Sequence, residues 1–150
     1  MGAAKYLNQL IAKVKKYLDN NYLILGDFNL GLSTLDRSSK HNISKETRAL
    51  NDTLDQMDFT DIYRTLYPNA TEYTFFLRSN GTFSRIDHIL GHKSGLNQYQ
   101  KIGIVPCIFS DHNALKLELN HKKFGRISNT WRLRTILLKD ERVNQDIREE

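Results

Sequence analysis

The chain reads as a single α/β domain in which helices flank a mixed, mostly antiparallel sheet, and three patterns predict it. Apolar residues recur at helical spacing near the N-terminus, a short continuous apolar run follows, and two later stretches alternate apolar with polar residues at a period of two. With 150 residues, 39% hydrophobic and 26% charged, the chain suits one soluble core.

Leu7, Leu10, Ile11, Val14 and Leu18 form one stripe, with Lys5, Lys13 and Lys16 largely off it, so the spacing predicts an amphipathic helix over 4–19. Asp19-Asn20-Asn21 ends it, and the apolar run 22–25 predicts a strand buried on both faces, with Gly26 opening a loop. Residues 30–44 have the Ser, Thr, Asp and Asn content of a loop. Ser44 is a predicted N-cap for a helix reaching Met57, with Leu50, Leu54 and Met57 on one face. A short helix is expected over 61–66, before Pro68. The period then changes: Tyr73, Phe75 and Leu77 alternate, Asn80-Gly81 predicts a type I′ hairpin turn, and 82–90 is the return strand. Further strands are predicted over 102–109 and 114–119, the second with Leu115, Leu117 and Leu119 on its buried face. A domain over 1–120 is thus expected, followed by a basic tail or linker over 121–150 that includes a helix over 132–146.

The net charge of +5 lies at the ends. Residues 1–25 carry four Lys and one Asp, and residues 121–150 carry eight Lys or Arg against five Asp or Glu. Such ends suit phosphate contact, and a solvated tail gives the same pattern. No apolar run approaches the roughly 20 residues of a membrane span, and the N-terminus has no signal-peptide core, so a nuclear or cytoplasmic protein without a membrane partner is expected. The single Cys107 excludes an internal disulfide and, after Pro106, reads as a buried small hydrophobe. Tyr99 and Trp131 are aromatic candidates for base stacking, although a lone aromatic is more often packing.

Three acidic motifs carry the chemistry: Gly26-Asp27-Phe28-Asn29, Ile86-Asp87-His88 and Ser110-Asp111-His112. In an extended backbone Asp27 and Asn29 point to one side while Phe28 anchors the other. A carboxylate that activates water beside an amide that donates to a non-bridging oxygen suits phosphodiester hydrolysis, although Gly-Asp-Phe-Asn alone is also an ordinary turn. Asp87 lies among Ile86, Ile89 and Leu90, where an unpaired charge is costly, so it needs a partner, and His112 is the candidate. The pairing would fix the imidazole tautomer and favour the imidazolium. Asp111 is the candidate ligand for a divalent ion such as Mg²⁺, which takes one or two carboxylates plus waters. His88 alternates to the opposite face and reads as structural; His41, His92 and His121 read as surface residues.

Leu25-Gly26-Asp27-Phe28-Asn29, Tyr73-Thr74-Phe75-Phe76, Ser84-Arg85-Ile86-Asp87-His88-Ile89 and Ser110-Asp111-His112 together resemble the endonuclease/exonuclease/phosphatase superfamily, most closely LINE-1 retrotransposon ORF2 endonuclease domains. The segments 32–38 and 61–66 are similar as well, and the resemblance covers about 3–140. It implies a four-layered α/β sandwich, of which this chain would be an incomplete, C-terminal part, and Mg²⁺-dependent nicking of DNA. Carried over by motif, Asp27, Asn29, Asp87 and His112 would be catalytic, Ser110 supporting and Asp111 near the metal. Arg37, Thr74, Arg78, Asn80 and Arg85 would face DNA. The family draws a metal-binding glutamate from further upstream, whereas no glutamate here precedes Glu46, so the resemblance also implies an N-terminally truncated, impaired site. In that reading a protein partner of unknown identity would complete or stabilise the site; the alternative expectation is a non-catalytic retroelement fragment with weak nucleic-acid or protein binding. A phosphatase is permitted because fold does not fix substrate, and the 73–87 hairpin argues against it.

Overall fold

The computed structural model describes residues 2–39 and 41–120. Helix α1 (Ala3–Val14) continues as a 3₁₀ turn over Lys15–Tyr17 and leads into strand β1 (Leu23–Asp27). After a 3₁₀ turn at Thr34–Asp36 come α2 (Lys45–Gln56), the three-residue strand β2 (Phe59–Asp61) and α3 (Ile62–Leu66). The hairpin β3 (Phe75–Leu77) and β4 (Thr82–Ser84) follows, then β5 (Asp87–His92), a 3₁₀ segment Lys93–Gln98, β6 (Tyr99–Val105) and β7 (Ala114–Leu119). No helix among the described residues is long and apolar enough to cross a membrane. The tail, its expected helix, Trp131 and His121 lie outside the described residues.

Among the described residues the expected mixed sheet is three separate ladders whose registered pairs are all antiparallel: β1-β5-β2, β3-β4 and β6-β7. Strand β5 is central because it is apolar on both faces. On one side Leu90 packs with Phe28, Leu50, Leu54 and Phe59 beneath α1 and α2; on the other, Ile89 packs with Ile62, Tyr63, Tyr99 and Ile102 beneath α3 and the β6-β7 ladder. Full burial of Leu50 and Leu90 stabilises the fold by about 1.5–3 kcal/mol each. Ser44 caps α2, its hydroxyl accepting from Thr47 N at 3.1 Å. At Gly91 a Cβ would collide with the Tyr99 hydroxyl, so the absent side chain lets the tyrosine lie across β5. Tyr99 is therefore core, not a stacking surface.

The 82–90 return strand is two strands. It breaks at Arg85-Ile86, where the chain leaves the hairpin and enters the central ladder, because the Arg85 side chain turns inward. The hairpin turn differs too. Leu77 pairs with Thr82, leaving a four-residue loop with a Gly81 N to Leu77 O hydrogen bond of 3.0 Å. Only Gly81 (φ 66°) takes the left-handed conformation, whereas type I′ requires it at Asn80 as well. Asn80 is occupied otherwise, its side-chain oxygen accepting from Thr82 N and Oγ1.

Candidate active site

Asp27 ends β1 and Asp87 begins β5, and the two are direct partners in the antiparallel register. Facing carboxylates repel unless a cation lies between them. His112 fills that role, arriving on the loop before β7, where it bridges to Phe75 of β3. Its Nδ1 lies 2.8 Å from Asp87 Oδ2 and its Nε2 3.8 Å from Asp27 Oδ2. The imidazole pKa is raised above its usual value: partial burial opposes the charge, but the Asp87 hydrogen bond and carboxylate outweigh it, with Asp27 and Asp111 adding to the attraction. The ring tilts against Phe75 at 4.9 Å between centroids, and Ser110 Oγ accepts from His112 N at 3.1 Å.

The backbone after Asp27 does not stay extended. Asn29 adopts φ 54°, and its N–H donates to Asp27 Oδ1 at 2.8 Å, so the motif is a tight turn with Phe28 buried and Asp27 and Asn29 exposed. Ligand atoms of Asp27, Asp87 and His112 all lie within 4.8 Å of one another, a group able to hold a metal ion. For a hard cation the donor chemistry fits in part. Asp87 Oδ2 is committed to His112 Nδ1, and a hard cation prefers oxygen to the ring nitrogen, which leaves the exposed Asp27 carboxylate as the principal oxygen donor. Asp111, expected at the metal, is exposed and outside this group.

Two residues expected to face DNA point inward. Thr74 is fully buried, its Oγ1 accepting from Ile86 N (3.1 Å) and Asp87 N (3.3 Å) while its carbonyl accepts from Asn113 N (2.7 Å). It ties the strand bearing Asp87 to the loop bearing His112. Arg85 is fully buried between Asp36 and Asp61, with Nε 2.9 Å from Asp36 Oδ1, Nη1 3.3 Å from Asp61 Oδ1 and the guanidinium over the Tyr63 ring at 4.8 Å. Arg64 adds a 2.7 Å pair to Asp36. His88 joins the same network, Nδ1 3.2 Å from Asp61 Oδ2 and Nε2 2.8 Å from the Leu30 carbonyl oxygen, in the structural role its strand position predicts. Burial pushes the Asp61 carboxyl upward, but the hydrogen bonds and charges of His88 and Arg85 hold it well below the usual carboxylate range. Asp36, Asp61 and His88 also converge closely enough for a metal, yet Arg85 already supplies the balancing charge. The sequence reasoning missed this network. The signal was present: Arg85 precedes an apolar run just as Asp87 sits within one, and the same burial argument applies to both.

Arg37, Arg78 and Asn80 remain exposed, Arg78 and Asn80 at the hairpin tip and Arg37 in a bridge to Ser84. Cys107 is half-buried on the wall of a groove, not in the core. Phe75 and Asn113 were also missed; Asn113 Oδ1 accepts from Cys107 N at 3.1 Å and braces the His112 loop.

The sequence profile described as Endonuclease/Exonuclease/phosphatase family matches residues 2–112. The chain is 26% identical over 151 residues to the transposon TX1 uncharacterized 149 kDa protein of Xenopus laevis, an alignment covering 97% of this chain and 11% of that protein. Among solved structures it is similar to an AP endonuclease from Archaeoglobus fulgidus, with TM-score 0.66, 20% identity, and coverage of 78% of this chain and 53% of the other. It is similar also to the 3′ phosphatase NExo (D146N) from Neisseria bound to product DNA hairpin, with TM-score 0.62, 21% identity, and coverage of 76% and 50%. The chain thus spans about half the length of these solved structures and about a tenth of the transposon protein, and its described elements form an incomplete α/β sandwich of their kind.

Proposed function

Because this chain belongs to the Endonuclease/Exonuclease/phosphatase family, we propose that it carries the phosphodiester-hydrolysing site of a LINE-1-like retroelement endonuclease that nicks DNA with Mg²⁺. The single observation behind the reading is the Asp27, His112, Asp87 constellation, with two facing carboxylates and, between them, an imidazole whose cationic form they favour. Asp87 orients the ring through Nδ1, leaving Nε2, at 3.8 Å from Asp27, free to donate to a phosphate oxygen. The exposed Asp27 carboxylate would orient an attacking water, and the exposed Asn29 amide, on the same turn, would hold a non-bridging oxygen. A bound Mg²⁺ supplies charge stabilisation at the phosphate and makes bound water more acidic, and Asp27 would hold it. Ser110 Oγ accepts from His112 N and would keep the loop in register, and the exposed Arg37, Arg78 and Asn80 would meet the DNA backbone. The likeness to a transposon protein supports the retroelement setting.

A second reading, DNA binding without hydrolysis, draws on one observation: among the described residues no glutamate joins the acidic group. Nicking of supercoiled plasmid by the 150-residue chain separates the two. Mg²⁺-dependent relaxation lost in both Asp27→Ala and His112→Ala supports the endonuclease; a folded protein that binds plasmid without relaxing it supports the binding reading.

A further inference from the structure

Beside the acidic cluster the protein leaves large apolar side chains in water. Ile108 is 89% and Phe109 93% exposed, immediately before Ser110-Asp111-His112. They form one wall of a groove of about 740 Å³, whose other wall is the outer side of the β3-β4 hairpin. On that wall Tyr73 and Phe83 stack at 5.8 Å between centroids with 30° between planes, and Phe83 and Phe76 continue the row at 4.6 Å and 33°. Ser110 and Asp111 line the same groove, so it is continuous with the loop that positions His112.

We propose that this groove is a stacking cleft for unpaired DNA bases next to the phosphate presented to His112, with Phe109 as its main contact. The placement of that phosphate rests on the endonuclease reading above; the cleft itself rests on the exposed rings. A nucleobase has two apolar π-faces, and stacking on aromatic side chains is tolerant of sequence. Within an intact duplex those faces are already covered, so only frayed, mismatched or single-stranded bases can occupy the cleft without first being unstacked. Two charged groups line the groove with the rings: Asp111 repels phosphate from its own wall, while Arg78, on the hairpin side of the lining, can hold the phosphate attached to a stacked base. The size lies within the range of sites that enclose small planar ligands.

Fluorescence anisotropy of the full chain in EDTA, where hydrolysis is blocked, tests this with labelled single-stranded DNA, a duplex carrying a short mismatch bubble and a matched duplex. Single strand and bubble are expected to bind roughly tenfold or more tightly than the matched duplex, and Phe109→Ala to weaken only those two, by roughly 5- to 150-fold, the range measured for base–aromatic stacking. Phe109→Trp restores them. Equal affinity for all three DNAs, or no effect of Phe109→Ala, overturns the proposal. So does light scattering that finds a dimer for the wild type and a monomer for Phe109→Ala, which assigns the groove to a second copy. Plasmid nicking fails independently: discrimination without nicking sinks the endonuclease reading alone, and nicking without discrimination sinks the cleft alone.

Discussion

Replacing Arg85 by Met would leave two buried carboxylates facing a thioether. Asp36 and Arg85 are both fully buried, and the Asp61 side chain is 11% exposed. Removing one partner of a buried ion pair costs about 3–5 kcal/mol. Here the lower end applies, because Asp36 keeps Arg64 and the N–H groups of Leu32 and Ser33, and Asp61 keeps His88. Against a total stability of about 5–15 kcal/mol, a loss of about 3 kcal/mol is large and measurable. The sign of its pH dependence follows from Asp61. A carboxyl whose folded pKa lies below its unfolded value of about 3.9 contributes stability above that value and loses it as pH falls through the folded pKa. Much of that depression comes from Arg85, so wild type and Arg85→Met converge in acid. Urea unfolding followed by far-UV circular dichroism at pH 7 and pH 3 measures both differences, with Arg85→Lys intermediate because it retains charge without the planar fork. A deficit under about 1 kcal/mol at pH 7, or one that is the same at both pH values, would refute the assignment of Arg85 as the charge balancing this network.

Asp87→Asn removes the charge, and weakens the charge-assisted hydrogen bond, that raise the His112 pKa, so NMR titration should find the imidazole titrating at lower pH. The pair's contribution to stability is present below the unfolded imidazole value of about 6.5 and lost as pH rises through the raised folded value, so the substitution should cost more at pH 6 than at pH 9; an unmoved titration would show that Asp87 does not govern the ring. At Asn29, whose φ is 54°, Gly should leave stability within a few tenths of a kcal/mol and Val should cost about 1–2 kcal/mol in thermal or urea unfolding, whereas equal losses would mean that the side chain, not the backbone, sets the turn.

Elements set by local rules were legible in the sequence. The cap at Ser44, the helical stripe of α1 and the alternation of β7 depend on neighbours a few residues apart. Strand β2 was not legible: three residues hold no period, and its placement against β5 follows the left-handed turn at Asp58 (φ 57°). The break at Arg85 was hidden for a different reason, since its cause is a pair of acids 49 and 24 residues upstream. In the site, the pairing of Asp87 with His112 could be argued from the cost of an unpaired acid. The inward turn of Thr74 could not, because a threonine in an alternating strand carries no sign of which backbone it will brace.

The split of one predicted strand into β4 and β5 also divides the protein by how freely it can change. Below the break Arg85 and Thr74 clamp the chain, and alterations there reach Asp87 directly. Above it the four-residue tip from Arg78 to Gly81 is outside the apolar core and joined to the body through the short β3-β4 ladder. The tip is therefore an exchangeable module: its length and side chains can diversify across related chains, changing what the tip can meet, while the acidic cluster beneath stays registered to the central strand.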